Sequence, residues 1–191
     1  MTWGPTRRFV LAGAGAALLA ACRTKPPRLY TLVARPGVVI DRKLPLVAVR
    51  SVQIAKYLDR PQIVRHKTDF EFTESDFDEW AEGLDEMATR VLIDDLALRL
   101  PQVEIARTDG VLAPASGTLV AVEIDRFDPD PDGTAVLEAR WLIRRDEKAG
   151  EVRSERIVEH APAEDYTALA SAMSDCLGQL ADRIAAALSA G

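Results

Sequence analysis

Apolar residues recur at three- and four-residue steps in two long stretches of this chain, and alternate or cluster in short runs elsewhere. In the first stretch Phe77, Trp80, Leu84, Met87 and Val91 fall on one helical face, which predicts a helix over residues 76–100. Leu92, Ile93, Leu96 and Leu100 open a second apolar face. The C-terminal half of that helix is therefore expected to be covered on two sides before Pro101 ends it. Tyr166, Leu169, Met173, Cys176, Leu180, Ile184 and Leu188 keep the same period and predict a long final helix over 164–189. Between the helices the period drops to two. Val120, Val122 and Ile124 share one face of a strand over 118–127, and Ala139, Trp141 and Ile143 share one face of a strand over 135–145. Residues 128–133 (DPDPDG) join them, with the Asp, Pro and Gly content of a hairpin turn.

A third strand is expected over 151–159, after a polar turn at 146–150. Earlier in the chain, 29–33 reads as a first short strand and Pro36-Gly37 as a turn. Residues 46–52 (LVAVRSV) read as a buried, β-branched strand. Residues 57–66 bend through Pro61 into an extended piece, and 69–73 (DFEFT) alternates like another strand. No internal repeat or low-complexity segment interrupts this order. The predicted class is α+β: one domain, a largely antiparallel sheet packed by two long helices.

The N-terminus follows a different pattern. Residues 1–8 hold Arg7 and Arg8 and no acid, and 9–21 (FVLAGAGAALLAA) are uncharged, apolar and small. That is a charged n-region followed by an h-region, too short for a spanning helix of about 20 residues. Leu19-Ala20-Ala21-Cys22 resembles the lipobox of bacterial lipoproteins. The resemblance implies a signal peptide over 1–21, acylation of the Cys22 thiol, and cleavage just before it. Residues 22–28 would then be a lipidated tether leading to a domain over 29–191. Two or three acyl chains hold a protein on a bilayer where a single chain binds reversibly. Thr6-Arg7-Arg8 followed by Phe9-Val10-Leu11 also resembles a twin-arginine export signal; an ordinary n-region on the general secretion route reads equally well.

Charge narrows the partners. Removing 1–21 leaves 22 basic against 30 acidic residues, a net charge of −8. An acidic domain argues against nucleic-acid binding and against adhesion to anionic headgroups, so attachment falls to the anchor. Cys176 is the one thiol besides Cys22, so an internal disulfide is not expected. A chain of this length needs none to bury a core.

Tyr57-Leu58-Asp59-Arg60-Pro61-Gln62-Ile63-Val64, followed by Trp80-Ala81-Glu82 before a helix, is similar to the signature of the ABC-type transport auxiliary lipoproteins, the PqiC-like family. The lipobox, a Tyr30-Thr31-Leu32 strand, a mid-chain helix and a C-terminal helix agree with that layout. Gly83 departs from it, since a proline is usual there and would preset helical φ; the start of the helix is expected to be looser here. The resemblance implies a non-catalytic, lipid-anchored periplasmic adaptor, forming homo-oligomers and docking the MCE-domain protein of an intermembrane lipid transport machine driven by an ABC ATPase. Arg23 after Cys22 is not an aspartate retention signal, which agrees with sorting to the outer membrane, the inner membrane being the second choice. A carrier that encloses a hydrophobic ligand is the alternative.

Candidate chemistry is sparse. Tyr57, Leu58, Asp59, Arg60 and Pro61 are the partner-docking candidates, with Tyr57 as an aromatic anchor; the competing reading is a turn held by a local Asp59–Arg60 pair and the fixed φ of Pro61. Trp80, in line with Leu84 and Met87, reads as core. Asp128, Asp130, Asp132 and Gly133 match the opening of a calcium loop, but Ala139 stands where the twelfth-position Glu belongs, so a solvated acidic turn is expected. His66 and His160 lack partners at ligand spacing, and no metal or cofactor is expected. The serines lie in no nucleophile elbow, and Cys176 sits on an apolar face as an inert thiol. No catalytic residue is identified and the protein is not expected to be an enzyme. Asp94 and Asp95, set in an apolar stretch, either face solvent, as favoured, or meet a neighbouring subunit.

Overall fold

A computed structural model describes residues 25–108, 117–145 and 150–190. The expected signal peptide, Cys22 and most of the turn at 146–150 lie outside these residues. Among the described residues nine strands and two α-helices follow in order: β1 (Arg28–Tyr30), β2 (Val47–Val49), β3 (Gln53–Ile54), β4 (Gln62–Thr68), β5 (Glu71–Trp80), α1 (Leu84–Arg99), β6 (Ile105–Arg107), β7 (Thr118–Pro129), β8 (Thr134–Arg145), β9 (Arg153–His160) and α2 (Tyr166–Ala190). The class is α+β in one domain. No helix among the described residues is long and apolar enough to cross a membrane.

Two sheets form instead of one. In the larger, the order is β6-β2-β7-β8-β9, with β3 also pairing β7. Its long pairings, β7 with β8 and β8 with β9, are antiparallel, while β2 and β3 lie parallel to β7. The smaller sheet runs β1-β5-β4, with β4 and β5 an antiparallel hairpin and β1 parallel to β5. The strands expected at 118–127, 135–145 and 151–159 are β7, β8 and β9. Val120, Val122 and Ile124 are buried as the alternation requires, and a bulge between Ile124 and Arg126 then turns Phe127 into the core.

The expected helix over 76–100 is too long at its start. Residues up to Trp80 belong to β5, because Tyr30 pairs with Trp80 and the Trp80 N–H reaches the Pro61 carbonyl at 2.7 Å. Phe77 is consequently a half-exposed strand residue, whereas Trp80 is core, as expected, but from a strand. Leu84, Met87, Val91, Leu92, Leu96 and Leu100 are all buried, so α1 is covered on two sides as its pattern implied. Helix α2 lies between α1 and the strands β8 and β9. Its start is set by Asp165, whose Oδ1 accepts the N–H groups of Thr167 and Ala168 at 2.9 Å, an N-cap in the ordinary sense. Residues 31–46 contain no regular element, although Leu32 is fully buried.

Candidate partner-docking site

The Tyr57-to-Pro61 stretch is a bend fastened at both ends. Leaving β3, the Ala55 N–H donates to Ile124 O at 2.9 Å, which ties the bend to β7. A 3₁₀ turn over Lys56–Leu58 follows, closed by Leu58 N–H to Ala55 O at 2.9 Å and Asp59 N–H to Lys56 O at 3.3 Å. Pro61 fixes φ at the exit, and its carbonyl holds the end of β5 through Trp80.

This geometry divides the five candidate residues. Leu58 is 3 % exposed and belongs to the core. Asp59, Arg60 and Pro61 form an exposed apex. The predicted Asp59–Arg60 pair does not form: Asp59 pairs with Lys56, whose ammonium holds its carboxyl below the usual range, and Arg60 pairs with Glu74 of β5. The apex therefore offers a carboxylate, a guanidinium and a proline ring, each on a fixed backbone.

Tyr57 turns the other way. Its hydroxyl donates to Asp128, a carboxylate with no exposed side-chain surface, and its ring stacks on Phe72 with centroids 4.7 Å apart. Arg126 Nε at 3.0 Å and His66 Nε2 at 3.3 Å reach the second oxygen of Asp128. Arg126 also pairs with Asp130. Burial raises the proton affinity of Asp128, although Tyr57, Arg126 and His66 pull the other way. Burial, then the bond to Asp128, pushes the Tyr57 phenol up as well. The cluster corrects the reading of 128–133 as one solvated turn. Asp128 and Pro129 end β7 in the interior, and the turn proper is 130–133, closed by Gly133 N–H to Asp130 O at 2.9 Å with Gly133 at φ +93°.

A second polar cluster was not anticipated. Arg99, at 1 % exposure, donates to Asp182 at 2.7 Å, to the carbonyls of Arg35 and Asp95 at 2.9 Å, and to that of Gly178 at 2.8 Å. It clamps α1, α2 and the segment after β1 together. Asp94 is exposed as favoured, but Asp95 is fully buried, taking the Arg35 N–H at 2.6 Å, with Arg99 at 3.4 Å. The helical period placed both aspartates near an apolar face; nothing local distinguished the one that Arg99 would cover. Gly37, expected in a turn, packs so closely on Arg99 and Asp182 that a Cβ would collide with both. Cys176 is buried, and burial pushes its thiol up to about 12. Among the described residues no three side chains group as metal ligands.

The family model for the ABC-type transport auxiliary lipoprotein component matches residues 30–185. No curated protein matches the chain. Among solved structures, an uncharacterized protein superposes with a TM-score of 0.72 at 18 % identity, covering 86 % of this chain and 99 % of that one. Protein XCC0632 from Xanthomonas campestris gives 0.66 at 18 % identity, over 83 % and 92 %. A PelC dodecamer from Paraburkholderia phytofirmans reaches only 0.40 at 13 % identity, over 82 % and 90 %, and carries no argument about assembly. The first two share the fold of this chain. With its model spanning nearly the whole domain, the chain belongs to the ABC-type transport auxiliary lipoprotein component family.

Proposed function

We propose that this protein is a non-catalytic, lipid-anchored adaptor of an intermembrane lipid transport system, holding its MCE-domain component at a membrane. The observation that carries the reading is the family match over residues 30–185. In this reading Cys22 carries the anchor, the domain faces the periplasm from the outer membrane, and copies of the chain assemble around the conduit. The docking surface is the apex of Asp59, Arg60 and Pro61. Its support is mechanical: an exposed, charged bend pinned to β7 and β5 keeps its shape when a partner pulls on it, and little ordering entropy is lost on binding. Tyr57 and Leu58 hold the bend from inside.

The carrier alternative has less support. An apolar hollow walled by Val122, Trp141, Leu142 and Val152 between Arg50 and Arg140 holds about 230 Å³ and is open to water. Ligand sites start at roughly 300 Å³ and enclose most of their occupant.

A tagged pull-down from gently solubilised membranes of the native host tests the reading. An MCE-domain protein should co-purify, and Cys22→Ser should reduce its recovery. Asp59→Ala and Arg60→Ala should also reduce recovery while leaving the melting temperature unchanged, because exposed ion pairs add little stability. Purified protein that carries lipid and captures no MCE component would transfer the assignment to the carrier.

A further inference from the structure

The tip of the β4–β5 hairpin carries an aromatic side chain that neither fold nor turn explains. Asp69 and Phe70 link Thr68 to Glu71, and Phe70 is 98 % exposed. Tight turns favour Gly, Asn or Asp, and a bare phenylalanine contributes nothing to such a bend. Its place relative to the N-terminus gives it a use. Strand β1 is parallel to β5, with Arg28 opposite Asp78 and Tyr30 opposite Trp80. The chain preceding Arg28 therefore heads toward the N-terminal end of β5, which is the hairpin tip. Lys25 keeps that course, its ammonium lying 5.5 Å over the Phe77 ring. Pro26 and Pro27 favour an extended path. Cys22 stands three residues before Lys25, a reach of at most about 11 Å. Counted in the register of β1, Lys25 comes level with Ser75, on the way to Phe70.

We propose that the hairpin tip, led by Phe70, is a second membrane contact that inserts into the lipid interface beside the acyl anchor. The proposal rests on acylation at Cys22. The partner is a lipid surface, and the charges specify which kind. Lys67 and Glu71 pair at 2.7 Å and neutralise each other, leaving Asp69 as the remaining charge of the turn. The tip has no basic excess, so insertion rests on the apolar ring and not on attraction to anionic headgroups. An aromatic ring projecting just past the anchor reaches the depth at which interfacial aromatics sit. Two contacts define an orientation where a single flexible tether leaves the domain free to tumble. The Asp59 apex lies at the opposite end of the hairpin, beyond the start of β4, and so points away from the bilayer.

The test uses the acylated full-length protein in vesicles of phosphatidylethanolamine and phosphatidylcholine. Cys176 is buried and its thiol is held protonated, and Cys22 is blocked by acylation. A Phe70→Cys variant thus takes a nitroxide label at one site. Leu98→Cys, exposed on α1, supplies the aqueous reference. After flotation, collision with oxygen relative to a water-soluble nickel chelate should be several-fold higher at position 70 than at 98, without anionic lipid. Floating protein with the same ratio at both sites overturns the membrane contact and leaves the anchor standing. Exclusion of both reagents from position 70 overturns it in favour of a covering protein, such as a second copy of this chain. Protein that does not float at all removes the anchor and this proposal together.

Discussion

Tyr57 shows how a motif residue can serve a site without forming its surface. Its ring and hydroxyl are both committed inward, to Phe72 and Asp128, while Asp59, Arg60 and Pro61 face solvent. The sequence offers Tyr57 as an aromatic anchor for a partner, with a structural turn as the competing reading, because the acid that accepts its hydrogen bond lies 71 residues away and reads as part of a solvated turn. The bulge in β7 turns Phe127 into the core and Asp128 to the opposite face, where Tyr57 and His66 of β4 cover it. A buried carboxylate that loses one donor keeps its desolvation cost, so Tyr57→Phe should destabilise the fold by about 1–3 kcal/mol while preserving the ring stack. Urea unfolding measures this directly. A variant as stable as the wild type would mean that His66 and Arg126 satisfy Asp128 without the phenol.

The elements were legible wherever one period ran unbroken. Helix α2 and the strands β7, β8 and β9 fell within two residues of expectation, because a single buried face dictates each. The boundary between β5 and α1 was not legible, since Phe77, Trp80 and Leu84 are spaced as well for a helix as for a strand joined to one. Pairing decides the matter: Asp78 is buried in β5 and holds Arg28 at 2.8 Å, Tyr30 Oη at 2.8 Å and Ser75 Oγ at 2.7 Å. Burial opposes ionisation there, yet Arg28, Ser75 and Tyr30 together hold the carboxyl below its usual range. The helix starts at Leu84 only after this strand is complete, and Gly83 is its N-cap, at φ −54° and without a side-chain cap. That φ lies within the range of a proline ring. Gly83→Pro should therefore stabilise the domain by about 0.4–1 kcal/mol by restricting the unfolded chain. A raised melting temperature with an unchanged circular dichroism spectrum is the expected result; a lower one would show that Glu82 cannot take the extended conformation a following proline requires.

At the scale of the whole molecule, the two helices and the segment after β1 meet at Arg99, and the pH response of the fold should be read there. Arg99 faces two carboxylates, Asp95 from its own helix and Asp182 from α2, while Arg35 lends Asp95 a backbone N–H. Asp182 is partly exposed and sits at 2.7 Å from Arg99, so it serves as the counter-charge. Asp95 is fully buried, and its second oxygen has no hydrogen-bond partner. Burial raises its proton affinity from the usual 3.8 to about 6, against the pull of Arg35 and Arg99. The native state therefore holds a proton that the unfolded chain has already released. Stability from this group is complete below 3.8 and declines as pH rises through about 6. A shift of about two units corresponds to roughly 3 kcal/mol at most. Asp95→Asn stays neutral throughout, so its melting temperature should gain on that of the wild type between about pH 4 and pH 7 and hold a constant lead above that. Taking the difference between the two proteins cancels titrations they share, Asp128 included. A gap independent of pH would mean that Asp95 stays ionised beside Arg99, and that the clamp joining the tether side of the fold to its helices is an ion triad.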